Sequence, residues 1–125
     1  MPGLGGRPLP LASRVRSGSQ AAILGFPENG PYDVRAGRVG ATRSVLTQDA
    51  YGRGPVRRSL TTLRGLVRHG NSGGPMVDTR GRVVTTVFAA TQGGGPAGGF
   101  GVPNAIVRRI LADASGPVDT GPCAR

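Results

Sequence analysis

The sequence predicts an all-β protein: an antiparallel barrel of about six short strands with a single α-helix at its C-terminal end. Three observations predict it. Gly and Pro, 23 and 11 of the 125 residues, fall between β-branched stretches instead of forming repeats, which is the punctuation of a turn-rich β protein and not of a disordered tract. Several of those stretches alternate between apolar and polar residues, as half-buried strands do. Only one stretch, near the end, spaces its apolar residues as an amphipathic helix would.

Taken in order, residues 1–19 are rich in Gly, Pro, Ser and Arg and read as an irregular lead-in. The barrel with its helix is expected over residues 20–113, and a tail over 114–125. Residues 21–26 (AAILGF) form an apolar run closed by Pro27, the pattern of a buried strand, and ENGPY supplies a turn. Residues 34–45 alternate loosely, and a polar loop, TQDAYGRGP, follows. Residues 57–67 alternate more clearly, with Leu60, Thr62, Arg64 and Leu66 on one face and Thr61, Leu63, Gly65 and Val67 on the other.

After a glycine-rich loop, residues 75–78 make a very short strand. Asp78-Thr79-Arg80-Gly81 is a tight turn with glycine placed for a positive φ. Residues 83–90 (VVTTVFAA) are the most β-prone run in the chain. TQGGGPAGG is a loop, and residues 100–102 are another short strand. Asn104 is placed to cap a helix whose Ile106, Val107, Ile110 and Leu111 share one face, with Arg108 and Arg109 outside.

Composition narrows the function. The formal net charge is +10, and all 16 basic residues are arginine. They are scattered in ones and twos, and aromatics make up 4%. A nucleic-acid binder needs a clustered basic face or stacking platforms, so no nucleic-acid partner is expected. No apolar run approaches the ~20 residues of a membrane-spanning helix, and the first residues lack the apolar core of a secretion signal. The lone cysteine, Cys123, has no partner within the chain. It is either a surface thiol or half of a bridge to a region outside these residues.

The chemistry concentrates in RHGNSGGPMVD, residues 68–78. A nucleophilic serine in acyl transfer needs a tight turn that exposes Oγ, backbone N–H groups aimed at the developing oxyanion, and a base within reach. Gly70 permits the dihedrals that turn successive amides inward, so the N–H groups of Gly70 and Ser72 can converge on one oxygen. Gly73 and Gly74 let a substrate carbonyl approach without a Cβ in the way. His69, the only histidine, is badly placed as the base, since a neighbour in such a loop cannot easily meet Oγ at about 2.6–3.2 Å. Asp33, Asp49, Asp78 and Asp113 read as solvated turn or helix-end groups.

GNSGGPMVD, then a turn, then RVVTTVF, then GGFGVPNAIVRRIL together resemble the C-terminal barrel of trypsin-like serine proteases. The likeness is to the bacterial HtrA-like and membrane-anchored periplasmic MarP-like branches, and it covers roughly residues 15–113. The resemblance implies a six-stranded Greek-key barrel, the second of a chymotrypsin-like pair. It makes Ser72 the nucleophile and places the oxyanion hole at Gly70, Asn71 and Ser72. Many animal relatives carry an aspartate at the position of Asn71, paired with a freed N-terminus; asparagine removes that ion-pair switch.

The same resemblance assigns substrate binding to Leu66, His69 on the rim, Ala89, Ala90, Thr91, Gly98 and Gly99. It puts leucine where enzymes cutting after Arg or Lys carry an acid, so a small or medium apolar substrate side chain is expected. The family's base histidine and its aspartate come from a preceding barrel, which this chain does not contain. In the MarP-like branch a terminal cysteine bridges to that barrel, a role Cys123 fits. The resemblance further implies an extracytoplasmic setting, peptide or protein substrates, and chemistry with no cofactor or metal. Two functions therefore stand: half of a serine endopeptidase, incomplete without its partner barrel, or a non-catalytic protease-like module that binds peptides or anionic surfaces.

Overall fold

A computed structural model describes residues 3–49, 51–119 and 121–122. Cys123 lies outside the described residues. The elements are β1 (Gln20–Gly25), a 3₁₀ turn (Pro27–Asn29), β2 (Asp33–Gln48), β3 (Pro55–Arg64), β4 (Pro75–Val77), β5 (Val83–Ala90), β6 (Gly98–Pro103) and α1 (Asn104–Asp113). The strands close into an antiparallel ring in the order β1-β2-β3-β6-β5-β4. The ring is sealed by the short pairing of Ala22 with Val77 and Ile23 with Met76.

Closure follows from the alternation. Ile23, Val39, Met76 and Val87 are almost completely buried inside the ring, with Leu63 and Val84 beside them. Burying each such side chain is worth about 1.5–3 kcal/mol. The topology also places the serine. β3 ends between β2 and β6, whereas β4 begins between β1 and β5. Residues 65–74 must therefore cross the end of the barrel, and this crossover is the serine-bearing loop.

Several expectations are corrected. The lead-in has no strand of its own but is docked: Ala12 is buried in the core, its N–H donates to the Val83 carbonyl, and the Val83 N–H donates to Pro10. Asn104 does not cap the helix, because the cap position is Pro103 with no side-chain bond. Its buried amide instead donates Nδ2 to the carbonyls of Ala12 and Val83 at 3.0 and 2.8 Å. Arg108 does not simply face outward, since Nη2 donates to the carbonyls of Leu11 and Ala12. The apolar face of α1 is covered only in its first half. Ile110 and Leu111 remain 61% and 63% exposed. Asp78 is not freely solvated, as its side chain is 12% exposed and bonded to Arg82.

Strand ends also differ. β2 and β3 run further into their connecting loop than alternation predicts, and β3 stops at Arg64, leaving Leu66 and Val67 on the crossover. β6 begins at Gly98, two residues early. There, glycines that read as loop allow close backbone pairing with β3 and β5.

Candidate active site

The crossover loop is built around Asn71, which is buried. Its N–H donates to the Arg68 carbonyl at 3.0 Å, and its side-chain Oδ1 accepts from the Arg68 N–H at 2.9 Å. The side chain thus serves as an internal strut that closes the bend. Gly70 sits at φ +94, and a Cβ there would lie 2.8 Å from the Phe26 carbonyl oxygen. Glycine is required at this point both for the dihedral and for the approach.

Two peptide groups in the loop have their carbonyls claimed by the protein. The His69 carbonyl accepts from the Glu28 N–H at 2.6 Å, and the Asn71 carbonyl accepts from the Gly74 N–H at 2.9 Å. All the described peptide bonds are trans, so C=O and N–H of one peptide point in opposite directions. The N–H groups of Gly70 and Ser72 therefore face away from those anchors. Among the described residues, neither of these two amides donates to a protein acceptor.

Ser72 is exposed at the head of the bend. Its Oγ donates to the Phe88 carbonyl at 3.2 Å. That carbonyl is available because β5 carries a bulge between Val87 and Ala89, which leaves Phe88 out of register with β6. Just after the serine the loop is pinned to the same strand, through Gly73 N–H to the Val87 carbonyl and Val87 N–H to the Gly74 carbonyl, both 2.8 Å.

No base is assembled here. His69 is exposed, and its imidazole has no hydrogen bond among the described residues. Three of the acids are occupied elsewhere. Asp33 pairs with Arg35, and Asp49 accepts the N–H groups of Tyr51 and Arg53. Burial alone would raise the Asp78 pKa, but the N–H groups of Arg82 and Arg80 and the Arg82 side chain outweigh it and hold the carboxyl below its ordinary value. No cluster of three or more metal-ligating side chains occurs among the described residues.

Beside the loop, a small cavity of about 100 Å³ is lined by Leu66, Ala90, Thr91 and Gly98. Of the residues named for substrate binding from the sequence, these four come together. Val67 and the 93–97 turn complete the wall, which the sequence reading passed over. Ala89 and Gly99 do not line it: in the β5–β6 ladder Ala89 pairs with Phe100 and Gly99 with Ala90, and Gly99 is buried against the Ala89 carbonyl and Val67. His69 does not line the cavity.

Phe88 and Glu28 were also missed. The bulge has no composition signal, and Glu28 belongs to a turn whose partner loop is 40 residues away in sequence.

Residues 1–85 match the family model of the trypsin-like peptidase domain. The serine protease Rv3671c of Mycobacterium tuberculosis is 33% identical over 115 residues, which are 90% of this chain and 29% of the relative. This chain thus spans less than a third of that relative's length. The crystal structure of the Rv3671c protease in its active form aligns at a TM-score of 0.85 with 33% identity, over 99% of this chain and 56% of that one. Its inactive form aligns at 0.76 with 30% identity, over 92% and 59%. Like its neighbours, the chain folds as the C-terminal barrel of a chymotrypsin-fold protease, and it belongs to the trypsin-like peptidase domain family.

Proposed function

We propose that this chain is the nucleophile-bearing half of a serine endopeptidase. In this reading Ser72 attacks the scissile carbonyl, and the amides of Gly70 and Ser72 receive the oxyanion. A histidine–aspartate pair from a second barrel takes the serine proton. The observation that carries the reading is the pair of unclaimed amides flanking an exposed serine hydroxyl, in a bend whose His69 and Asn71 carbonyls are both held by the protein. Pre-aimed donors of this kind are usually the largest single contribution to acyl-transfer catalysis, because they need no reorganisation as charge develops.

In the intermediate, the Ser72 Oγ–carbon bond forms and the carbonyl oxygen takes the negative charge. The Oγ proton passes to the imidazole, which returns it to the departing amine. The ground-state bond of Ser72 to the Phe88 carbonyl keeps the hydroxyl at the head of the loop until that imidazole is present. Phe26, Leu66 and Phe88 are exposed on segments touching the loop, which supports a second barrel packing over this end. The cavity beside Leu66 has the volume of roughly three water molecules, room for a small or medium apolar side chain. A peptide library cleaved by the completed enzyme chiefly after Arg or Lys would refute that preference. By the same family likeness we place the protein outside the cytoplasm.

The test is to assemble these 125 residues with the barrel that carries the histidine and aspartate and to add a fluorophosphonate probe. Labelling at Ser72 that vanishes in Ser72→Ala supports the enzyme. A completed protein that takes no label would instead be a peptide-binding module. The chain alone should hydrolyse peptides very poorly, since a triad without its base retains little beyond oxyanion and binding effects.

A further inference from the structure

We infer that the Pro27–Asn29 turn, through Glu28, is a clip that holds the serine loop in its anion-receiving form, with Glu28 and Arg68 as positioning residues. The inference rests on the hydrolase reading and deepens it by naming what keeps the site competent. The peptide between His69 and Gly70 is the vulnerable part of the loop. Rotated by half a turn, it would aim the His69 carbonyl where the Gly70 amide now faces, and the site would repel an oxyanion instead of binding it. What opposes that rotation is the 2.6 Å bond from the Glu28 N–H to the His69 carbonyl.

The donor is presented by an uncommon backbone. Glu28 and Asn29 lie at φ 57 and 58, and they are the only non-glycine residues with positive φ among those described. Asparagine tolerates the left-handed region, whereas glutamate does so rarely. Such outliers persist where surrounding contacts over-determine them, and they gather at functional sites. The contacts here are specific. Pro27 is buried and anchors the turn. Gly70 lies flat against it, since a Cβ there would come within 3.1 Å of the Glu28 nitrogen. The Glu28 carboxylate accepts from Arg68 Nη2 at 2.6 Å. Arg68 in turn is the residue whose N–H and carbonyl both bond Asn71, the strut of the bend. One glutamate therefore grips the loop twice, by its backbone at residue 69 and by its side chain at residue 68.

The ion pair is solvent-accessible, with the Arg68 and Glu28 side chains 36% and 58% exposed. Its influence is accordingly modest and screened by salt, and an exposed pair shifts an equilibrium by no more than about fivefold. The clip is a trim on the population of competent loops, not an all-or-none switch.

Two measurements test it. In the 125-residue chain, hydrogen exchange of the Glu28 amide should be protected, losing about two- to fivefold of its protection in Glu28→Gln and Arg68→Ala. Protection should return in the exchanged pair, Glu28→Arg with Arg68→Glu. In the assembled enzyme, fluorophosphonate labelling of Ser72 and kcat should fall, by less than that same factor, in the single variants, with KM unchanged, and recover in the exchanged pair. An unprotected Glu28 amide in the wild type, or single variants with unaltered labelling, overturns the clip while leaving the hydrolase reading standing. A wild-type assembly that takes no label overturns the hydrolase reading, and the positioning role falls with it.

Discussion

Two irregular segments are fastened to the same barrel, and they are fastened differently. The strap at residues 10–12 has its three carbonyls and the Ala12 N–H consumed, and only the Leu11 N–H lacks a partner among the described residues. Val83 exchanges bonds with Pro10 and Ala12, and the carbonyls of Leu11 and Ala12 accept from Asn104 or Arg108. The crossover at residues 68–74 has its carbonyls consumed at residues 68, 69, 71 and 74, but it leaves the N–H groups of His69, Gly70 and Ser72 without a protein acceptor beside an exposed hydroxyl. A segment that holds the fold pairs nearly all of its backbone groups, because each unpaired buried group costs about 1–3 kcal/mol. The crossover leaves as many carbonyls as amides unpaired, so what sets it apart is the anchoring of the His69 and Asn71 carbonyls, which holds the Gly70 and Ser72 N–H groups on the opposite side of their peptides.

That contrast can be broken at its strongest point first. Ser72→Ala in the assembled enzyme should lower turnover on the order of 10⁶-fold, as loss of a triad nucleophile does. The melting transition should move little, since an exposed side chain away from special geometry changes stability by about 0.5 kcal/mol or less. Gly70→Ala should be costly in both respects. The variant strains a backbone at φ +94 and drives a Cβ toward the Phe26 carbonyl. Turnover should fall about 10²–10³-fold through the displaced donor, and denaturant unfolding should report a loss of about 1–3 kcal/mol.

On the strap side the sign of the comparison reverses. Asn104→Ala removes the buried donor shared by Ala12 and Val83 and should lower stability by about 1–3 kcal/mol. Fluorophosphonate labelling of Ser72, measured well below the melting temperature, should be unaffected. A labelling loss matching that of Gly70→Ala would mean that the two segments are not distinct in function.

The smallest effect belongs to Asp78. Its folded pKa is depressed below the ordinary 3.8. The carboxylate therefore contributes stability that is fully present above pH 3.8 and is lost as pH falls through the folded value. Acid unfolding of Asp78→Asn should accordingly be less steep than that of wild type in this range, while Ser72 labelling at neutral pH should not change.

The same contrast explains what could be read in advance. Strands carried by alternation were legible: β5 occupies residues 83–90 as expected, β1 is shifted by a residue and β4 ends one residue early. The serine bend was legible because its glycines answer a local demand on dihedral angles. Features that depend on distant partners were not. Asn104 looks like a cap in its own neighbourhood and becomes a strut only because residues 12 and 83 meet over it. Gly98 and Gly99 look like loop, yet serve a strand whose neighbours approach closely. The left-handed turn at Glu28 and the bulge that frees the Phe88 carbonyl leave no periodic trace.

The most direct test of the central claim, that the amides of residues 70 and 72 form a site for developing negative charge, is a crystal structure of the assembled enzyme with Ser72 phosphonylated. One phosphonyl oxygen should lie about 2.7–3.1 Å from both the Gly70 and the Ser72 nitrogens, with the His69 carbonyl still on the Glu28 N–H. An adduct whose oxygens all face solvent, with those two amides bonded to the protein instead, would contradict it.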